Sequence, residues 1–398
     1  MFILGSHSHN REYGCTLLVC ERAVSLLSYE SLPENKTRVF YSRSMHVPQT
    51  QNGVASRHSS SISSAVYQLL RAFDEEMRKK VRLGIKIRRI TVYYAPPLSF
   101  TSTEEVSLQS KEHDMINEQF LTTVMHDAEK SFLSRLNESN SSHAVRTSRG
   151  VIIERHIARP SIDGYPVGEY LGRAFKEFAA LISFSSISTT LSQKIADVCH
   201  SIFRDSEISH QSAVNSILSA VRRLKTEEDN FLLAAILPDI SFLIYASGSV
   251  PLTHSVFDGG EQHLEANLAR SLSVTKPVAR SYTKLHLDLK LHSQSEVNYL
   301  ASLKEVFGLW VDEAIKAYKN ISEIYMLPKT IRVVTSGEIG TVMCHNRVFE
   351  YENQGYLFKA IVSGEIKTVE HTEGFPITAL DCLLVDEALN HGSPQTSH

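Results

Sequence analysis

The sequence predicts an α/β protein with two similar halves and a small α+β unit inserted into the first half. The chain has 398 residues, of which 42% are hydrophobic. Because a single core stops growing at roughly 250–300 residues, this length predicts two or more cores. Each half has strands that turn back on themselves, then a helix and a further strand. The halves share this order of elements, and no sequence period accompanies it.

Apolar spacing predicts the strands and the helix that begin the first half. The predicted strands are residues 2–4, 15–20, 38–47 and 88–95. The first two flank a polar loop, so they indicate a hairpin at the start of the chain. Apolar residues recur at helical spacing over 62–82, which predicts an amphipathic helix. Pro96-Pro97 ends the last strand, because proline cannot donate a ladder hydrogen bond.

The inserted unit and the second half follow similar patterns. In the inserted unit, 113–136 predicts a helix, while 151–157 and 178–187 predict strands. In the second half, 229–246 reads DNFLLAAILPDISFLIYA, and the turn residues Pro238-Asp239 between two apolar runs predict a strand hairpin. The remaining predictions are helices that carry Leu191 to Ile202, Val214 to Leu224, Leu264 to Leu272 and residues 293–319, strands at 250–257 and 331–335, and a glycine turn at 336–340.

Composition excludes several classes of function. The formal net charge is -3 and the chain has no strongly basic domain, so nucleic acid is not an expected partner. The 5 cysteines are sparse and the 18 histidines are scattered, which indicates reduced thiols and no metal site. No segment approaches the roughly 20 apolar residues that cross a bilayer. No signal peptide is recognised either, so a cytoplasmic protein is expected.

Segment 151–186, VIIERHIARPSIDGYPVGEYLGRAFKEFAALISFSS, carries the most specific motif of the chain. A strand leads into Gly164-Tyr165-Pro166, and Gly172 precedes the return strand. This pattern resembles the inserted subdomain, called 1C or SHS2, of the FtsA/PilM branch of the actin-like ATPases. The segments RRITVYYAPP and FDGGEQHLEANLARSL also fall in the order of that family.

The resemblance implies an actin-like, ribonuclease H-like α/β fold of two lobes with an inserted SHS2-type subdomain. It implies 1–89 and 188–225 as the first lobe, and 90–187 as the subdomain. Residues 226–388 would form the second lobe, and 389–398 a disordered tail.

Members of this family bind ATP and Mg²⁺ between the lobes with three loops, and the resemblance places these loops on the sequence. The first falls on FILGSHS, which keeps Gly5, Ser6 and Ser8 but has Ile3 at the acidic position that organises the metal. The second falls at 234–239, where both glycines of the family pattern are missing. Since glycine lets backbone N–H groups approach a phosphate, this loop has lost groups that the chemistry uses.

The third loop and one further turn retain glycines. Gly337 and Gly340 would face the adenosine, and Gly259 and Gly260 would face a phosphate at a helix N-terminus. Each place has an ordinary alternative: a hairpin tip for the first loop, a strand-to-helix turn for Gly259-Gly260 and a β-turn for the third loop. ATP with Mg²⁺ is therefore the one cofactor that the sequence leaves open.

Because two of the three loops are degenerate, the resemblance implies a cytoplasmic scaffold for a membrane-associated assembly. The assembly would be the cell-division machinery, as for FtsA-like members, or the type IV pilus, as for PilM-like members. The partner would be a division-ring protein or a cytoplasmic peptide of a pilus membrane protein, with self-association as a further option. The sequence shows no terminal amphipathic helix, so contact with the inner membrane face is expected through a partner.

Two alternatives to the scaffold stay open. The first is an active ATP-binding ATPase with a rearranged magnesium site. The second is an α/β protein with no nucleotide-binding ancestry. No catalytic or metal-binding residue is predicted. Asp239 falls where the family has an acid, and it is interpreted as a cap of the Pro238 turn in preference to a catalytic carboxylate.

Overall fold

A computed structural model describes residues 12–33, 36–48, 55–80, 86–138, 150–224, 230–248, 250–345, 352–353, 356–361, 366, 369–371 and 378–390. The strands are β1 (Tyr13–Val19), β2 (Ala23–Leu32), β3 (Lys36–His46), β4 (Ile87–Tyr94), β5 (Ser99–Met115), β6 (Gly150–Ile162), β7 (Tyr165–Pro166), β8 (Ala174–Ser188), β9 (Glu207–Ser212), β10 (Asn230–Ile236), β11 (Ser241–Ser247), β12 (Val250–Phe257), β13 (Thr330–Thr335), β14 (Glu352–Asn353), β15 (Tyr356–Ala360) and β16 (Val369–His371). The helices are α1 (Ala55–Lys80), α2 (Glu118–Glu138), α3 (Thr189–Ile202), α4 (Ala213–Arg223), α5 (Glu261–Ser271), α6 (Lys276–Leu287), α7 (Ser293–Ser322), α8 (Gly337–His345) and α9 (Ala379–Asn390).

The first lobe is built on a six-stranded sheet in the order β16-β3-β2-β1-β4-β9. β1 pairs antiparallel with β2 and parallel with β4. The apolar stripe of α1 packs into one core with the sheet and with α3. The members of this stripe are Ile62, Val66, Leu69, Leu70, Phe73 and Met77. The amphipathic helix predicted from the same residues is therefore confirmed.

The second lobe repeats this arrangement in a sheet of the order β12-β11-β10-β13-β15-β14. β10 pairs antiparallel with β11 and parallel with β13. Ile236 lies opposite Ser241, which leaves 237–240 as the turn and confirms the predicted hairpin. β10 is buried from Phe231 to Ile236, because protein covers both faces of this central strand.

Two helices, α4 and α9, contact both sheets and share one core with them. Most residues of α4 are buried, as expected for a helix that packs against both sheets. The guanidinium of Arg223 on α4 donates to Asp386 of α9 at 2.8 Å and also pairs with Glu387. The lobes are therefore joined at their base by a packed and ion-paired pair of helices.

The inserted subdomain is a four-stranded sheet, β5-β8-β6-β7, with α2 packed on one face. Val124, Ala128 and Phe132 of α2 face Ile182 and Phe184 of β8. The subdomain also touches the second lobe, because the Thr103 hydroxyl donates to the Pro251 carbonyl on β12 at 2.6 Å. Within the described ranges, no helix has the length and apolar character needed to cross a bilayer.

A hairpin is predicted between 2–4 and 15–20, and residues 2–4 lie outside the described residues. One edge of β1 pairs with β2 and the other with β4 over the whole of Tyr13–Val19, so no edge is left for a further strand. β2 was not predicted, because it lacks polar and apolar alternation. It buries Ser28, whose hydroxyl lies 3.1 Å from the Cys15 sulfur, and Glu30 as well. The first hairpin within the described residues therefore turns at 20–22.

Further elements differ from the sequence predictions, and the strands β5 and β9 were not predicted. The helix predicted from 113 begins at Glu118, because Asp114 and Met115 still pair with β8. α6 was not predicted, and the glycine turn predicted at 336–340 is the start of α8. β16 pairs with β3 of the first lobe, and α9 contacts the sheets of both lobes.

Candidate functional site

The turns of the two lobe hairpins meet in the structure. The backbone N–H of Arg22, in the β1–β2 turn, donates to Oδ2 of Asp239, in the β10–β11 turn, at 2.7 Å. The β10–β11 turn is closed by Leu237, whose N–H donates to the Ile240 carbonyl at 2.9 Å. Pro238 fixes its own φ and thereby favours this tight turn. The side chain of Asp239 thus reaches a residue that is 217 positions away in the sequence.

Asp239 is 9% exposed, so its carboxylate is almost wholly removed from water. Burial raises its pKa, and the N–H of Arg22 opposes that shift by stabilising the charged form. Its Oδ1 atom is buried and has no hydrogen-bond partner among the described residues. The Cys20 thiol is buried beside it, and burial together with the Asp239 charge raises the pKa of that thiol.

The N-terminus of α5 lies directly on the β10–β11 turn. The N–H of Glu261 donates to the Leu237 carbonyl at 2.8 Å, and the N–H of Gln262 donates to the Pro238 carbonyl at 3.0 Å. Gly260 caps the helix, and a Cβ at this position would overlap the backbone of Asp239. Glycine is therefore required here for close approach of two backbones, and the first amides of α5 are bonded within the chain.

The N-terminus of α8 binds a second carboxylate of the chain. The N–H of Ile339 donates to Oε1 of Glu261 at 2.9 Å. Gly337 has a φ of 79°, and a Cβ at this position would overlap the Glu261 carboxylate. Burial raises the pKa of Glu261 to about 8, and the backbone N–H groups of Ile339 and Gly340 oppose the shift. A carboxyl group thus occupies the position that a helix N-terminus offers to an anion.

A buried polar network holds the chain just before α5. The indole N–H of Trp310 donates to the Ser241 hydroxyl at 3.0 Å, and that hydroxyl donates to the Gly259 carbonyl at 2.8 Å. A Cβ on Gly259 would lie 2.8 Å from the Trp310 ring. Gly259 therefore serves close packing against Trp310 in this arrangement.

The structure brings some of the predicted site residues together. Gly260 precedes Glu261 and Gly337 faces its carboxylate, whereas Gly340 packs against the side chain of Thr335. Gly5, Ser6 and Ser8 lie outside the described residues. Among the residues that the structure describes, no three His, Cys, Asp or Glu side chains are arranged to hold a metal ion.

Two residues of this site, Arg22 and Glu261, were missed from the sequence. Arg22 follows from recognising β2, because two strands separated by three residues make Cys20 to Arg22 a hairpin turn. Glu261 stands three residues after Asp258 at the start of a helix, where an acidic residue is ordinary. Its contact with α8 is a tertiary feature for which the sequence gives no signal.

Comparisons with known proteins identify the fold. Neither protein-family models nor curated proteins give a match. Among solved structures, a PilM-PilN type IV pilus biogenesis complex aligns with a TM-score of 0.55 at 12% identity, over 96% of this chain and 99% of that chain. The ethanolamine utilization protein EutJ from Carboxydothermus hydrogenoformans gives 0.46 at 10% identity, over 96% and 91%. A Bacteroides thetaiotaomicron protein with an actin-like ATPase fold and unknown function gives 0.38 at 7% identity, over 88% and 91%. The alignment with the PilM-PilN structure, together with the two similar sheets, confirms the predicted actin-like fold of two lobes.

Proposed function

We propose that this chain is an actin-like scaffold of the PilM type, which holds a cytoplasmic peptide of a pilus membrane protein and works without ATP. The observation that carries the proposal is the alignment with the PilM-PilN complex over 96% of this chain and 99% of that chain. An identity of 12% carries the fold alone, so the partner is inferred from the shared architecture. The scaffold would reach the membrane through that partner.

The donors of the candidate site support a cleft that does not hold a triphosphate. Phosphates are bound by backbone N–H groups that point into a cleft, at turns and at helix N-termini. Here the N–H groups of Arg22 and Ile339 donate to Asp239 and Glu261, respectively. The first amides of α5 donate to carbonyls of the β10–β11 turn. A phosphate would have to displace these internal acceptors.

Electrostatics supports the same conclusion. Two carboxyl groups, Asp239 and Glu261, stand at the turns where a triphosphate would add further negative charge, and both have raised pKa values because they are buried. Burial that raises the pKa of a carboxyl group disfavours negative charge at that place, so placing the charges of a triphosphate there would also cost free energy. The β1–β2 turn, Cys20-Glu21-Arg22, also has no glycine that would open its backbone to a phosphate. These residues do not fit a triphosphate with Mg²⁺.

The inserted subdomain is the surface to which we assign the partner peptide. Tyr165 is 76% exposed and Leu171 is 56% exposed. Met115 is 51% exposed, and the hydrogen bond from the Gly172 N–H to the Ile116 carbonyl, 2.7 Å long, places it close to Leu171. Exposed apolar side chains that lie together mark interaction sites, and Leu171 and Met115 meet this condition. Leu171 and Met115 are called the apolar tip below.

The test uses the full chain and a labelled peptide copied from the cytoplasmic segment of the host's pilus membrane protein. The proposal expects saturable binding by fluorescence anisotropy, with the same affinity in the presence and absence of MgATP. No binding to this peptide, together with capture of the host's tubulin-like division protein, would support a division role instead. Peptide binding that requires MgATP would support the working ATPase.

A further inference from the structure

The hydrogen bond between Arg22 and Asp239 joins two elements that belong to different lobes. Arg22 lies in the hairpin turn of the first sheet, and Asp239 lies in the hairpin turn of the second. α4 and α9 join the lobes at a different place, through Arg223 and its two acidic partners. The Arg22–Asp239 contact is therefore a further connection between the lobes, made directly by the turns of the two hairpins.

We propose that the carboxylate of Asp239 holds the two lobes together, with no bound ligand, by accepting a hydrogen bond from the opposite lobe. This role of the Arg22–Asp239 contact is called the clasp below. The inference rests on the proposed function, in which the chain works without a nucleotide. It adds how the two lobes are held together. In a two-lobed protein, a bound ligand closes the lobes by accepting hydrogen bonds from both sides. Here a carboxylate fixed to one lobe accepts the N–H of the other lobe, so closure needs no ligand.

The geometry of Asp239 suits this role. The 2.7 Å distance from the Arg22 nitrogen is typical of a charge-assisted hydrogen bond, which is about twice as strong as a neutral one. The turn that carries Asp239 is itself held rigidly by the two α5 amides and by the glycine contact at Gly260. A carboxylate on such a support keeps its direction toward the opposite lobe.

Capping of its own turn is the simpler role for Asp239, and the contacts go beyond it. The carboxylate accepts its own backbone N–H, which is a local turn contact. It also accepts the Arg22 N–H and lies beside the Cys20 thiol, and both of these belong to the first lobe. A local cap alone would not need partners on the other lobe.

The experiment measures the distance between the lobes in the full chain. Spin labels are attached at Lys79→Cys on α1 and Lys319→Cys on α7, two exposed positions, in a Cys344→Ser background. Asp239→Asn keeps the shape of the side chain and removes its charge. Asp258→Asn is the matched control, because Asp258 is an exposed aspartate that precedes the same helix. Circular dichroism verifies that each variant is folded.

The clasp predicts a longer or broader distance distribution for Asp239→Asn than for Asp258→Asn. It also predicts that the Arg22 amide exchanges its hydrogen about tenfold faster or more in Asp239→Asn. Arg22→Pro removes the donor from the opposite side and is expected to widen the distribution in the same way. Distributions that match the control in both folded variants would overturn the clasp.

The outcome for the clasp is separable from that for the proposed function. Binding of MgATP by the unmodified chain would overturn the nucleotide-free cleft, whatever the distances show. Unchanged distances in Asp239→Asn would overturn the clasp alone, because an unliganded scaffold remains compatible with lobes that are held by their other contacts, such as those of α4 and α9.

Discussion

The carboxylate of Glu261 accepts the backbone N–H of Ile339 at 2.9 Å, so the start of α5 is fixed to the start of α8 by a side chain of the protein itself. Gly337 makes this possible, since any Cβ there would collide with the carboxylate. Together with the bond between Arg22 and Asp239, this contact gives the cleft two internal acidic groups where the fold offers backbone donors to anions.

The raised pKa of Glu261 predicts how the free energy of unfolding depends on pH. Its pKa is raised from 4.5 to about 8 in the folded state. Between these values the folded state keeps a proton that the unfolded state has released, so the free energy of unfolding falls as the pH rises. The contribution is several kcal/mol at most, because each pKa unit is worth about 1.4 kcal/mol.

Glu261→Gln removes this titration, and its amide oxygen can still accept the Ile339 N–H. We expect the unfolding free energy of this variant, measured in urea at pH 5 and pH 8, to fall less than that of the unmodified chain. Glu313→Gln on α7, which removes a surface pair with Lys316, is the control and should leave the pH dependence unchanged. Equal slopes in all three proteins would show that Glu261 titrates normally.

Two glycines give a matched test of backbone packing. Gly260→Ala places a methyl group against the backbone of Asp239, so we expect a loss of about 1–3 kcal/mol of stability through overpacking. Gly308→Ala in α7 has open space around its Cβ, and we expect a gain of about 0.5–1 kcal/mol because alanine favours a helix. Urea denaturation measures both. A Gly260→Ala variant as stable as the unmodified chain would contradict the close approach of α5 to the turn.

The thiols of the core are expected to be inert in the native protein. Cys15, Cys199 and Cys382 are buried, and burial raises the pKa of each to about 12. The pKa of Cys20 is raised in the same direction. Because the thiolate is the reactive form, these four residues should resist a thiol reagent such as dithionitrobenzoate until the protein unfolds. Mass spectrometry that finds any of them modified within minutes in native buffer would contradict the packing of these cores.

The apolar tip of the subdomain gives a prediction for the proposed partner. Leu171→Asp places a charge on an exposed apolar position and should weaken peptide binding by about tenfold or more, since desolvated apolar contacts carry most interface energy. Leu289→Asp is the control, because Leu289 is 91% exposed on the second lobe. Anisotropy with the labelled peptide compares the two. Equal peptide affinities of the two variants would show that the peptide binds at a surface other than the apolar tip.

The sequence predicted the fold where periodicity is strong. The stripe of α1, the apolar runs around Pro238-Asp239 and the subdomain strands at 151–157 and 178–187 follow from apolar spacing, whereas the long strand β5 of the same subdomain was not predicted. β2 was not predicted, because buried serine and glutamate side chains interrupt its apolar pattern. Because β2 was not predicted, the turn between β1 and β2 was not recognised, and Arg22 was not identified as a residue of the site.

The candidate site was only partly predictable for a related reason. Gly260 and Gly337 were singled out from the sequence as glycines near a phosphate and near the adenosine, respectively, and the structure shows a Cβ at either position meeting protein atoms. A glycine in a turn signals close approach of something, but the sequence does not say whether that is a ligand or another part of the chain. Two hydrogen bonds show that these turns contact other parts of the chain: one from the Arg22 N–H to Asp239 and one from the Ile339 N–H to Glu261. Each bond joins residues that are far apart in the sequence.

The most direct measurement is titration calorimetry of the full chain with MgATP, repeated with Asp239→Asn. The account predicts no heat of binding for the unmodified chain at ligand concentrations up to the millimolar range, because its own carboxyl groups hold the backbone donors of the cleft. Saturable binding of MgATP at micromolar concentration, accompanied by release of phosphate, would contradict it.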